Sequence, residues 1–147
     1  MGGRWVSLVF CATALVGLLA ANAPDPETLS PRTNYMLHCQ GCHLADGSGR
    51  QGKVPDMRGE LGRIAQLPGG RDYIGRVPGV ANAQLTDAQL ARVLNWLIPE
   101  MTPEIAATFA PYSASEVGLL RRNRLQEVRA VRQRLLTQDR RKPLRTQ

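Results

Sequence analysis

His38-Cys39-Gln40-Gly41-Cys42-His43 is the stretch that decides how this chain is read. Two cysteines stand three positions apart, and a histidine follows the second directly. On a helical turn, residues three apart share a face. Both sulfurs would therefore project to one side, with an imidazole beside them. The residues leading in support a helix: Ser30 is a good N-cap, Pro31 suits the first turn because its missing N–H is not needed there, and Tyr35, Met36 and Leu37 follow.

The pair encloses only two residues, so a disulfide would gain little by closing the loop. A zinc site needs four ligands, and outside the cluster only His38 is at hand, too close to complete a tetrahedron. A thioredoxin-like dithiol wants a βαβ setting, which the sequence does not offer. Cys-x-x-Cys-His is itself the attachment signature of a c-type haem, with a chance match of the spacing as the bland alternative. Two thioether bonds from Cys39 and Cys42 would reach neighbouring vinyl groups on one porphyrin edge, and His43 would bind the iron from below. His38 is expected at the surface or near a propionate, not on the iron.

Further along, residues 44–70 hold seven of the fourteen glycines together with Pro55 and Pro68, and read as loops with one helical turn near Leu61 to Leu67. A short helix is expected from Arg71 to Val77, stopped by Pro78-Gly79. Thr86-Asp87-Ala88-Gln89 is a capping box with Leu85 and Leu90 as its staple. Its helix should bury Leu90, Val93, Leu94, Leu97 and Ile98 and run to Pro99. Thr102-Pro103 can start a short turn. Ser113-Ala114-Ser115-Glu116 is a second capping box, with Tyr112 and Val117 as staple. The helix after it should carry Val117, Leu120, Val128, Val131 and Leu135 on one face and fade before Pro143. No strand pattern stands out.

With the CQGCH turn, the glycine-rich middle and the closing helix "LTDAQLARVLNWL", residues 28 to 98 resemble a mono-haem class I c-type cytochrome of the bacterial periplasmic kind. The resemblance implies an all-α fold: a small helical domain around one covalently bound haem c, its first and closing helices crossing, here with Trp96 as a crossing contact. It implies Cys39 and Cys42 as thioether donors and His43 as proximal iron ligand. Family members usually supply a methionine to the other face from the loop before the closing helix. Here that loop, "VPGVANAQL" at 77–85, has none, and Asn82 stands where the sulfur would be. Three expectations follow. Met101, 58 residues after His43, could fold back as distal ligand. Met57, 14 residues after His43, is an alternative. Or the site is open. For each methionine the competing role is core filling, which is also the role expected of Met36. Tyr73 is placed to line the distal pocket.

Residues 1–23 read as a signal peptide: Arg4, an apolar run, and Ala21-Asn22-Ala23 as cleavage site, with an uncleaved membrane anchor as the alternative. Cys11 falls inside that run. The protein is thus expected to be exported to the periplasm. Residues 24–100 would form the cytochrome domain and 101–147 a linker and basic amphipathic helix. The net charge of +7 resides wholly in residues 113–147, with ten Lys/Arg against three Asp/Glu; the remainder sums to zero. That basic face can be a solvated helix packed on the body, a docking surface for an acidic redox partner, or a peripheral contact with anionic membrane. Nucleic acid is not an expected partner. The expected function is one-electron transfer between a dehydrogenase-type donor and an oxidase or other cytochrome, as a carrier and not an enzyme. Alternatives are a docked cytochrome subunit of a redox complex, or a gas-binding or sensor haem protein with an open distal site.

Overall fold

A computed structural model describes residues 28–140, with the side chains of the last two left aside. The expected signal peptide lies outside the described residues. Within them every regular element is helical, and the only extended pairing is an isolated bridge between Arg50 and Val54. The fold is all-α, as expected.

The first helix, α1, spans Pro31–His38. The Ser30 hydroxyl accepts the Thr33 N–H at 3.1 Å, satisfying one of the amides a helix start leaves free. Asn34 and Tyr35 face inward and are buried. Met36 does not fill the core as expected: it is 53% exposed, because the register that buries Tyr35 turns its neighbour outward. At Cys39 the backbone leaves helical geometry (φ −126°), and a single turn, α2, follows over Gln40–His43. A loop then runs to α3, Glu60–Gln66, where one helical turn was expected. The short helix α4, Gly70–Arg76, is also where the sequence places it. Pro78 both ends it and opens another turn, α5, Pro78–Ala81.

The central element is α6, Asp87–Met101. Its capping box is closed in both directions: Gln89 N–H to the Thr86 hydroxyl at 3.2 Å, and Thr86 N–H to the Gln89 side-chain oxygen at 2.8 Å. Leu90, Val93, Leu94, Leu97 and Ile98 are all buried, the stripe the periodicity predicts. The helix does not stop at Pro99. A proline removes one amide, but those beyond it remain free, and Thr102 N–H closes the last turn on the Ile98 carbonyl at 3.1 Å. Tyr35 and Trp96 meet where α1 crosses α6, ring centroids 5.7 Å apart, so Trp96 is the crossing contact expected of it. A 3₁₀ turn follows at Pro103–Ile105.

The expected long basic helix is two helices, α7 at Ala114–Arg121 and α8 at Val128–Arg140. The break brings Leu125 into the core, with its N–H on the Arg76 carbonyl at 2.9 Å. α7 packs on α4 and α6, and α8 on α4. Gly75 permits the first contact: a Cβ there would lie 2.8 Å from the Leu120 Cβ and 2.6 Å from one of its methyl carbons. Only half of the second capping box forms. Ser113 accepts the Glu116 N–H at 3.1 Å, but the Glu116 carboxylate is taken by Arg71, at 2.8 and 3.0 Å. Arg71 lies 3.9 Å from the Tyr112 ring centroid, and the buried Tyr112 hydroxyl donates to the Arg71 carbonyl at 3.1 Å. Asn95 pairs with both backbone groups of Tyr112, at 2.7 and 3.0 Å. This arginine–tyrosine–glutamate–asparagine cluster ties the C-terminal segment to the body.

Candidate functional site

The break between α1 and α2 sets the geometry of the cysteine–histidine turn. Cys39 N–H still donates back to the Tyr35 carbonyl at 2.9 Å, while the N–H groups of Cys42 and His43 both reach the Cys39 carbonyl at 3.1 Å. Cys39 is half-buried, Cys42 is exposed, and both are free thiols. Burial, and secondarily the neighbouring Cys42, push the Cys39 thiol up to about 11. A redox dithiol needs the opposite, a thiol poised to ionise near neutral pH. A zinc site fares no better: among the described residues no group of three or more His, Cys, Asp or Glu is gathered to hold a metal.

His43 is half-buried, and burial lowers its pKa; the Pro55 backbone pulls the other way, favouring a proton on the ring. Its buried Nδ1 meets no partner at full hydrogen-bonding geometry. With Nδ1 buried toward the Pro55 backbone, Nε2 is the ring nitrogen left to ligate a metal, and burial favours the uncharged ring that ligation needs. Its peptide is anchored too, since Gly49 N–H donates to the His43 carbonyl at 3.2 Å. The Tyr35 hydroxyl closes the exit of the turn with a 2.6 Å bond to the Leu44 carbonyl. Burial raises the Tyr35 pKa, so that phenol stays a donor.

Large apolar side chains are exposed close to this turn in sequence. Four large hydrophobic side chains stand out as exposed among the described residues, and three of them, Met36, Leu37 and Leu44, flank the cysteines and histidine in sequence. Exposed apolar groups concentrated at one motif mark a surface that something apolar covers. Two thiols, a neutral imidazole and an apolar face together fit a porphyrin.

The two methionine candidates both meet the loop that continues from His43, Met57 as part of it and Met101 from the end of α6. Met57 is buried, and its N–H donates to the Gly47 carbonyl at 2.9 Å. Met101 ends α6, accepts the Gly59 N–H on its carbonyl at 2.9 Å, and rests its sulfur against Gly47. Gly47, at φ +77°, is the one residue type that both adopts that backbone and leaves room for the sulfur. Asn82 is exposed in the 77–85 segment, where Ala81 and Leu85 are buried and Val77, Val80 and Ala83 half-buried. Tyr73 is buried beside the Arg132–Glu60 ion pair, and burial raises its pKa. His38 is exposed at the end of α1. Sequence reasoning missed the role of Arg121, which reaches from α7 to the 81–87 segment; in the sequence it is one arginine of a basic run.

No family model matches the chain. Cytochrome c-552 of Thermus thermophilus is 32% identical over 118 residues, covering 66% of this chain and 90% of that protein. A second cytochrome c-552 of the same species is likewise 32% identical over 118 residues, with 66% of this chain and 80% of that protein covered. The similarity extends over most of the relatives' length and accords with the thiols and imidazole gathered at residues 39–43, and the chain belongs to the c-type cytochromes.

Proposed function

We propose that this protein is a one-electron carrier that holds one haem c through thioether bonds from Cys39 and Cys42, with His43 as iron ligand. Bound there, the haem supplies an iron that cycles between Fe(III) and Fe(II). The chain's own residues attach, orient and shield. Two thiols on a short turn suit addition of S–H across a vinyl group, with sulfur going to one carbon and hydrogen to the other. The anchored backbone of the turn fixes the imidazole, and Met36, Leu37 and Leu44 offer an apolar face. The observation that carries the reading is the juxtaposition of free Cys39 and Cys42 with a half-buried His43 whose burial disfavours charge.

In this reading residues 24–100 carry the haem, as a mono-haem class I domain, and 101–147 form the basic extension. The donor is a dehydrogenase-type protein and the acceptor an oxidase or another cytochrome. The work is done in the periplasm after export by residues 1–23. No helix among the described residues is long and apolar enough to cross a membrane, which leaves membrane contact to the basic face of the extension or to an uncleaved leader.

A second reading concerns the sixth ligand position. Met57 and Met101 both rest on Gly47, in the loop that runs on from His43. Buried Met57 and half-buried Met101 fit core filling, which would leave the sixth position open to a small exogenous ligand. Optical spectra of the haem-loaded protein test both readings. A reversible one-electron transition between oxidised and reduced forms is expected; its absence would sink the carrier reading. A shift of the reduced spectrum with carbon monoxide supports the open site. A far-red methionine–iron band without that shift excludes it.

A further inference from the structure

Arg121 ends α7 inside the basic extension, yet its side chain is only 17% exposed. The guanidinium is turned into the body. Its Nε donates to the Ala81 carbonyl at 3.2 Å, one terminal nitrogen to the Leu85 carbonyl at 2.8 Å and the Asp87 carboxylate at 3.1 Å, and the other to the Ala83 carbonyl. Three alternate carbonyls of one short segment thus converge on a single planar cation, which no flexible point charge could match. The flanking residues fasten the same region. Leu120 packs on Gly75, Leu125 N–H bonds the Arg76 carbonyl, and Arg76 Nε returns to the Asn123 carbonyl at 2.5 Å.

The 77–87 segment lies between α4 and α6 without a helix long enough to hold itself; its one regular piece is the single turn α5. It presents Val77, Val80 and Ala83, apolar and half-buried. Met57, on the loop from His43, and Met101, at the end of α6, both meet Gly47, and the α1–α6 crossing is filled by Tyr35 and Trp96. We infer that Arg121 is a positioning residue that fixes segment 77–87 as the haem-crevice wall facing away from His43, so that the C-terminal extension completes the haem site. This rests on the haem-carrier reading above.

The test compares full-length haem-loaded wild type, Arg121→Ala, Arg121→Lys and, as a control on a different tie of the extension, Arg132→Ala, which cuts the contact to Glu60. Two quantities are read: amide hydrogen exchange over residues 77–87, and the rate at which added imidazole binds the oxidised haem, followed optically. Arg121→Ala should speed both by about tenfold or more, because removing a charge-assisted network lets the segment open locally. Arg121→Lys should fall between, and supplies the comparison should the alanine variant fail to load haem. Arg132→Ala should leave both near wild type. The inference is overturned if Arg121→Ala and Arg121→Lys match wild type, or if Arg132→Ala has the same effect. Faster exchange with unchanged imidazole binding also overturns it, since Arg121 would brace a segment that is no wall of the site. That outcome leaves electron transfer standing, whereas failure to bind any haem with the motif intact would strike at the carrier reading instead.

Discussion

The thiols and imidazole of residues 39–43 are proposed to carry the chemistry, a reading open to spacing alone because covalent attachment demands those residue types at that separation. The methionines show the limit of such reading. By position Met101 was the first candidate and Met57 the alternative, but only folding reveals that Gly47 contacts both, one through its carbonyl and the other across the space of a missing Cβ. Replacing both with leucine, which conserves volume, is therefore expected to leave the oxidised and reduced haem spectra unchanged and to cost less than about 1.5 kcal/mol in stability. A loss of the low-spin spectrum in the double variant would restore methionine ligation. Met36 failed as a core prediction for a related reason. An apolar residue on a helix shows its hydropathy in the sequence, but the choice between neighbouring faces belongs to the packing that buries Tyr35.

Helices with strong local signals were readable to within a residue or two. Ser30 and Thr86 cap where they should because short hydroxyl side chains satisfy amides that nothing else in the chain reaches. Less legible were the ends set by tertiary contacts: α6 runs past Pro99, and the basic segment breaks to place Leu125 in the core. Two substitutions probe these element-level contacts. Gly75→Ala should destabilise by about 1–3 kcal/mol, since the new methyl meets Leu120 where α7 lies on α4; chemical denaturation of the haem-loaded protein would measure it, and a neutral result would mean the two helices separate at little cost. Tyr112→Phe should cost about 1 kcal/mol, leaving the Arg71 carbonyl without its phenol donor while the ring stays under the guanidinium. Burial holds the Tyr112 pKa well above its ordinary value, so the bond persists through any pH at which the protein is handled.

At the scale of the whole molecule, the basic tail is where sequence and structure differ most in emphasis. Its charge suggested a solvated or docking face, yet Arg121 and Arg132 turn inward to carbonyls and carboxylates, while Val117, Leu125 and Leu135 are buried in the common core. An arginine in a basic run looks the same in sequence whether it faces water or a set of backbone carbonyls. Exposed Arg122 and Arg124 between α7 and α8, with Arg129 and Arg134 on α8, still give this side of the molecule positive charge, which would suit the proposed encounter with an acidic redox partner. Such encounter should slow as salt is added, because screening shortens the reach of the field. Everything at this scale depends on the covalent haem. The most direct measurement is the mass of the full-length chain, produced in a host that attaches haem and then denatured in acid. The account predicts a polypeptide heavier by one haem, and a return to the bare polypeptide when Cys39 and Cys42 are both replaced by alanine. A wild-type mass equal to the bare polypeptide would contradict it.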